Sequence, residues 1–250
     1  MKRLLCLAAL LCLSMCCPPP AAADQPVYTR TVTIGDQLPA MTFSAYPTEE
    51  RDTEWPDMLL YRLEIATADG RALPSLRFAS LEGADQQTHL LNFIDLNFDG
   101  YLDIEALRAA GASNMVNTYF LYDPAAGAFV YEPALDCLSS YQLYPGQRLI
   151  LNFEHDSAAT GVWSLFVTNN GKPTLFRQAS ALYDERDDYQ SIRELVTEYG
   201  ADGTATVLRD ENHALPEDQG VSDGWYDLMM ELLWEGADAT EPPLALPGEE

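Results

Sequence analysis

The stretch "FIDLNFDGYLDI", residues 93–104, alternates oxygen-bearing side chains with apolar ones. Its polar members are three carboxylates and one amide, and a glycine, Gly100, follows the third of them: Asp95, Asn97, Asp99 and Asp103. Carboxylates at this density repel one another, and a bound cation removes that repulsion. The sequence therefore indicates that this short loop has a compensating partner.

The spacing D-x-N-x-D-G-x-x-D directs the side chains of positions 1, 3, 5 and 9 toward one centre, and the backbone carbonyl of position 7 joins them. The glycine permits the sharp turn that this arrangement needs. An all-oxygen ligand set with flexible bond lengths suits Ca²⁺ better than Mg²⁺. We therefore predict a calcium site with Asp95, Asn97, Asp99 and Asp103 as side-chain ligands and Tyr101 as a carbonyl ligand. A plain acidic turn between two strands is the alternative.

The flanking sequence distinguishes this loop from the helix–loop–helix calcium site. That site requires a bidentate Glu at position 12, where this chain has Ala106. The preceding segment, "HLLNFIDL", is typical of a strand rather than a helix. The pattern thus predicts a strand–loop–strand calcium site.

The same residues resemble a known family. The segment "DLNFDGYLDI" resembles the calcium loop D-x-N-F-D-G-Y-x-D-L of bacterial secreted proteins, which is similar in style to the FG-GAP loops of integrin-like propellers. The following "NTYFLYDPAAGAFVYEPAL" is similar to the next segment of proteins that resemble periplasmic inhibitors of invertebrate-type lysozyme, with Ala126 in place of the usual Thr. The resemblance covers residues 88–151. It implies a compact antiparallel β protein with a propeller-like arrangement, and some such proteins insert a loop into the cleft of a peptidoglycan-cleaving enzyme.

Hydrophobic alternation predicts a mainly β fold over residues 24–220, antiparallel and either propeller-like or sandwich-like. In "MLLYRLEIAT", residues 58–67, the apolar side chains fall on one face and Arg62 and Glu64 on the other. The segment "YQSIRELVTEY" fits a strand or a helix, and the Pro- and acid-rich segment 46–57 is predicted to be a mobile loop. A short helix is predicted at 221–235, where Trp225, Leu228, Met229 and Leu232 have helical spacing, and a disordered acidic tail at 236–250.

The first residues have the features of a secretory signal peptide, predicted to span 1–23. Two basic residues precede an apolar run, and "AAA" at 21–23 supplies a small-residue cleavage site. A lipid anchor at Cys16 is a less favoured alternative because Met15 is a poor residue before a lipidated cysteine. The apolar run is too short to span a membrane. We expect a secreted, periplasmic or cell-envelope protein.

The net charge of the chain limits the classes of partner that it can bind. The formal net charge is −25 at pH 7, and loss of Lys2 and Arg3 with the signal would bring −25 to −27. Such a surface repels nucleic acid and anionic lipid. It attracts divalent cations or a basic protein partner, such as a muramidase.

No catalytic residue is predicted. The sequence has no G-x-S-x-G, H-E-x-x-H, G-x-G-x-x-G or P-loop pattern, and His89, His155 and His213 are isolated. Cys137 is predicted to be a small buried hydrophobe. We therefore expect a calcium-binding, non-enzymatic binding protein, with inhibition of a peptidoglycan hydrolase as one form of that binding. The alternatives are an extracellular carbohydrate-active hydrolase and an envelope module with no ligand beyond calcium.

Overall fold

The computed structural model describes residues 25–81, 90–111, 114–155, 160–184, 191–214 and 233–234. The predicted signal peptide 1–23 and acidic tail 236–250 lie outside these residues, as does most of the predicted helix 221–235. Leu233 and Trp234 are the two residues of that helix that are described, and both have helical backbone and are buried. The remainder of these three segments stays a prediction.

The described residues form three antiparallel sheets. The first sheet has the order β1-β2-β3-β4 and contains β1 (Tyr28–Val32), β2 (Met41–Arg51), β3 (Met58–Thr67) and β4 (Leu76–Leu81). The second has the order β5-β6-β7-β8 and contains β5 (Leu91–Ile94), β6 (Asp103–Ala110), β7 (Met115–Asp123) and β8 (Ala128–Tyr131). The third has the order β14-β13-β12-β11-β10-β9 and contains β9 (Ser140–Tyr144), β10 (Leu149–His155), β11 (Gly161–Asn169), β12 (Lys172–Tyr183), β13 (Ser191–Tyr199) and β14 (Ala205–Ala214). A 3₁₀ helix, Pro133–Leu135, lies between the second and third sheets in the chain. The predicted mainly β, antiparallel fold is confirmed.

Alternation along the strands decides which side chains meet. In β3 the side chains of Tyr61, Leu63 and Ile65 are buried, and Glu64 between them is exposed. Phe43 of β2 pairs with Ile65, so one face of the first sheet is continuously apolar. This is the period-two pattern of a strand with one face against a core.

The three sheets stack in chain order. One core lies between the first and second sheets, and its large members include Phe43, Tyr61, Ile104, Phe120 and Tyr122. A second core lies between the opposite face of the second sheet and the third sheet, and consists of Leu96, Tyr119, Leu135, Leu138, Ile150 and Phe166. The second sheet is therefore covered on both faces, an arrangement that face-to-face sandwiches share with neighbouring propeller blades.

A third core covers the outer face of the third sheet. Its strand residues include Leu151, Trp163 and Leu165, and Leu233 and Trp234 pack against them. The ring of Trp234 meets that of Tyr144 edge-on, with ring centroids 5.4 Å apart. Leu233 and Trp234 thus pack on this sheet through their apolar side chains.

Three local predictions are settled by the structure. The segment 46–57 is not wholly a loop, because β2 continues to Arg51 and Tyr46 pairs with Arg62. The sequence pattern does not predict this part of the strand, because Pro47 lies at a register shift and exposed acids follow it. Residues 191–199 form the strand β13 and not a helix. Cys137 is exposed rather than buried, because Leu135 and Leu138 on either side of it take the inward positions.

Among the described residues, the structure contains no helix with the length and apolar character needed to cross a membrane.

Candidate metal centre

The acidic loop joins β5 to β6 at one end of the second sheet. Ile94 and Asp103 pair with each other, so the loop starts and finishes on a closed pair of strands. Phe98 has φ 57° and Gly100 has φ 90°, both in the left-handed region. These two positions turn the chain sharply, as the calcium-loop pattern requires.

Two carboxylates organise the loop through backbone N–H groups. Asp95 accepts hydrogen bonds from the N–H of Asp99 at 3.1 Å and from that of Gly100 at 3.0 Å, one on each oxygen. Asp99 accepts from the N–H of Tyr101 at 2.9 Å through Oδ1. Burial raises the pKa of Asp95, and the nearby charge of Asp99 adds to that rise.

The amide of Asn97 lies inside the same turn. Its Oδ1 accepts from the N–H of Asp99 at 3.2 Å, and its Nδ2 donates to Asp99 Oδ2 at 3.0 Å. Asn97 itself is buried. The structure thus brings Asp95, Asn97 and Asp99 together as predicted.

Asp103 lies deeper than the other predicted ligands. It is fully buried, and its two oxygens accept from the N–H groups of Leu96 and Tyr122, each at 2.9 Å. Burial, with a smaller contribution from the charges of Asp99 and Asp95, raises the pKa of Asp103 to about 7. Through its two hydrogen bonds Asp103 ties the loop to the neighbouring strand β7.

The donor types of this loop are those of a hard cation, although among the described residues its three carboxylates do not bring their ligand atoms within 4.8 Å of one another, as Glu194, Glu211 and His213 do. Carboxylate, amide and carbonyl oxygens are the donors that Ca²⁺ takes in proteins. Asp95, Asn97, Asp99, Asp103 and the Tyr101 carbonyl are the groups that would hold such an ion. Among the described residues, no basic side chain forms an ion pair with Asp95, Asp99 or Asp103.

The loop touches all three sheets. Leu96 and Phe98 belong to the core between the second and third sheets, whereas Leu102 packs against the core between the first and second. Arg148, in the β9–β10 turn, donates from Nη2 to the carbonyl of Asn97 at 3.3 Å. The N–H of Leu102 donates to the carbonyl of Ile34, which follows β1, at 2.7 Å. A change in this loop therefore acts on the packing of the whole stack.

The contact between the loop and the first sheet gives a direct test. Gly35 lies against Tyr101 so closely that an added Cβ would be 2.6 Å from the ring atom Cδ1. Because real Cβ atoms do not approach so near, Gly35→Ala must push the ring of Tyr101 aside. We expect a loss of about 1–3 kcal/mol in the free energy of unfolding, measured by urea denaturation.

Gly146→Ala is the matched control for that substitution, because nothing lies within 4 Å of the Cβ it would add. An equal loss for both variants would show that the effect comes from replacing a glycine in the backbone and not from the contact with Tyr101.

A buried polar network next to the loop was missed at the sequence level. Glu105 Oε1 accepts from Asn117 Nδ2 at 2.9 Å, from Tyr141 OH at 3.1 Å and from Tyr119 OH at 3.3 Å. Glu105 Oε2 accepts from Asn92 Nδ2 at 2.9 Å. Burial beside this carboxylate raises the pKa of both Tyr119 and Tyr141. The sequence feature that could have indicated it is Glu105, an acid two residues after Asp103 and flanked by the apolar Ile104 and Ala106.

A third polar cluster lies on the hairpin β13–β14. The buried Glu194 accepts from Arg209 Nη2 at 3.0 Å, and its Oε2 lies 2.9 Å from His213 Nε2. Arg209 Nη2 also bonds Glu211 at 2.9 Å. Glu194, Glu211 and His213 are close enough to hold a metal ion, but Arg209 already bridges the two carboxylates. The guanidinium supplies the positive charge that an ion would bring.

Comparisons with known proteins leave the function open. No family model matches the chain, and no curated protein does. Among solved structures, one described as "Structure of a Xanthomonas Type IV Secretion System related protein" is similar at 13% identity and a TM-score of 0.47. That likeness covers 72% of this chain and 98% of the other. The described residues thus define a three-sheet antiparallel β protein with an acidic loop at the junction of its sheets, and its function has to be argued from its own residues.

Proposed function

We propose that this chain is a secreted calcium-binding protein without enzymatic activity that binds a basic protein partner, and that calcium holds its three sheets together. One observation carries the calcium part of the proposal. The loop 95–103 touches every sheet, and its carboxylates are partly or wholly buried without an ion-paired base among the described residues. Such a loop is stable when a cation offsets its charge.

The expected affinity suits a protein that works outside the cytoplasm. Calcium sites of extracellular modules bind with dissociation constants of about 10⁻⁴–10⁻³ M. A site of that strength fills in calcium-rich surroundings and stays empty where calcium is scarce. The folded protein would then become more stable on export, because an ion that binds only the folded state stabilises that state.

The partner part of the proposal rests on charge and on the resemblance noted in the sequence. A net charge of −25 favours basic partners. Many muramidases are basic, and some of the proteins that this loop region resembles inhibit peptidoglycan-cleaving enzymes. We therefore propose a muramidase as the partner and inhibition as the outcome of binding.

The experiment is a binding and activity screen with purified basic muramidases, in buffer with calcium. Wild-type protein should form a stoichiometric complex with at least one of them, seen by calorimetry, and should slow its cleavage of peptidoglycan. The protein alone should show no cleavage. Absence of binding across a broad panel would remove the inhibitor proposal, and turnover of peptidoglycan by the protein alone would favour the hydrolase alternative.

A further inference from the structure

The hairpin between β2 and β3 carries an exposed tryptophan on an ordered tip. Trp55 is 55% exposed. The Asp52 carboxylate accepts hydrogen bonds from the N–H groups of Glu54 and Trp55, each at 2.9 Å. Below them, the Met58 N–H donates to the Trp55 carbonyl at 2.8 Å, and the Asp52 N–H donates to the Met58 carbonyl at 3.0 Å. Four hydrogen bonds thus fix the backbone that presents the indole.

This exposure sets Trp55 apart from the other described tryptophans. Trp163 and Trp234 are both buried in the core over the third sheet. An indole left in water gives up the large gain that its burial would bring. A rigid loop that presents a tryptophan has little ordering cost on binding, and tryptophans in such positions are typical anchors of protein interfaces.

The surroundings of Trp55 are acidic. Residues 49–57 hold five acids and one base: Glu49, Glu50, Asp52, Glu54 and Asp57 against Arg51. Arg51 Nη1 donates to the Pro56 carbonyl at 3.4 Å, a hydrogen bond within the hairpin. Glu50 pairs with Arg77 at 2.5 Å, and within the described part of the chain the other four acids form no ion pair. Acids next to an exposed indole fit a partner whose surface is basic around an apolar pocket.

A cleft continues this surface from the tip to the second sheet. It has a volume of about 380 Å³, within the size range of pockets that hold small ligands or side chains. Asp52 and Glu54 of the tip line it, as do Tyr131 and Asp136 from the region of the second sheet. Tyr131 is 46% exposed and donates to Asp136 at 2.5 Å. Arg77 and Arg108 also line the cleft, and Arg108 Nη1 lies 3.9 Å from Asp136. Among the described residues, the acids of the cleft that form no ion pair are therefore those of the tip, Asp52 and Glu54, and not Asp136.

We propose that the tip Asp52–Asp57 forms the docking surface for a basic protein. Trp55 enters an apolar pocket of the partner, and basic side chains around that pocket meet Asp52 and Glu54 of the tip. This inference rests on the proposed function, since it names the surface through which the partner binds. The proposed surface is distinct from the turn 167–174, "VTNNGKPT", which the sequence alone offers as another loop that could insert into a partner.

The test compares variants against the muramidase that binds the wild type most tightly, by calorimetry and by association kinetics. Trp55→Ala should weaken the affinity by about 30-fold or more, as loss of an anchor residue does. Glu54→Gln should slow association several-fold at low salt and leave dissociation nearly unchanged. The matched control is Val207→Ala, at a side chain that is 58% exposed on β14 of the third sheet, and its affinity should stay within about two-fold of the wild type.

The results distinguish failure of the docking surface from failure of the inhibitor proposal. Equal affinities of wild type and Trp55→Ala would overturn the docking surface and leave the inhibitor proposal standing. Equal losses for Trp55→Ala and Val207→Ala would also overturn it, since the effect would not belong to the tip. A wild type that binds no muramidase overturns both. Thermal melting of Trp55→Ala in calcium should match the wild type, because the tip is held by backbone and Asp52 contacts that the substitution keeps.

Discussion

Chelation of calcium is expected to lower the melting temperature of the wild-type protein by about 3–10 °C relative to the protein in 10 mM calcium. For a dissociation constant of about 10⁻⁴–10⁻³ M, that calcium concentration is about 10 to 100 times the dissociation constant. Binding then stabilises the folded state by about 1.4–2.7 kcal/mol. For a chain of this size, each kcal/mol moves the melting temperature by about 2–4 °C. The shift should be measured by calorimetry in calcium and in EDTA.

The double substitution Asp95→Ala with Asp99→Ala should abolish the calcium response. These two carboxylates are the outer acids of the loop, and each also accepts backbone N–H groups that shape it. The variant should therefore melt at or below the temperature of the EDTA-treated wild type, whether or not calcium is added. Direct binding of calcium, followed by calorimetry, should disappear with it.

Glu49→Ala with Asp57→Ala is the control, because it removes the same charge from exposed positions on the first sheet. That variant should respond to calcium as the wild type does. If EDTA leaves the melting of the wild type unchanged, the loop is an ordinary acidic turn and the calcium proposal is wrong. If the control variant also loses its response, the ion acts on the general charge of the protein and not on the loop.

The sequence predicted the loop because its information is local. A turn, its glycine and its polar side chains lie within nine residues, and hydrogen bonds between near neighbours fix their geometry. The same holds for β3, whose alternation of apolar and charged residues is complete within one strand. Local patterns of this kind need no knowledge of what packs against them.

The contacts that give the loop its importance are not local. Arg148 lies 51 residues from Asn97, and the packing of Gly35 against Tyr101 joins two different sheets. The two bonds of Asp103 likewise depend on where Tyr122 falls in the next strand. Residue spacing alone carries no sign of these pairs, because they follow from how the three sheets stack. For the same reason the sequence could propose a binding protein without indicating the hairpin that presents Trp55.

The buried network around Glu105 supports the second large prediction. Glu105→Ala would remove the acceptor that Asn92, Asn117, Tyr119 and Tyr141 share. Asn92 is exposed and Tyr119 OH also lies 3.3 Å from the Leu138 carbonyl, so Asn117 and Tyr141 are the donors most affected. Each buried donor left unsatisfied costs about 1–3 kcal/mol, reduced where water enters the space of the missing side chain. We expect a total loss of about 3–5 kcal/mol in the free energy of unfolding. Urea denaturation at pH 7 in calcium measures it.

Two further variants divide this effect into its parts. Tyr141→Phe removes one donor and the direct hydrogen bond from the third sheet to Glu105, so it should cost about 1 kcal/mol. Glu154→Ala removes an exposed acid from β10, and should change stability by less than about 0.5 kcal/mol. If Glu105→Ala were no more costly than Glu154→Ala, the carboxylate would not be the acceptor that joins these sheets. A large loss for Glu105→Ala together with a small one for Tyr141→Phe would show that the stack depends on a charged centre with several donors, in which the loss of any single donor is tolerated.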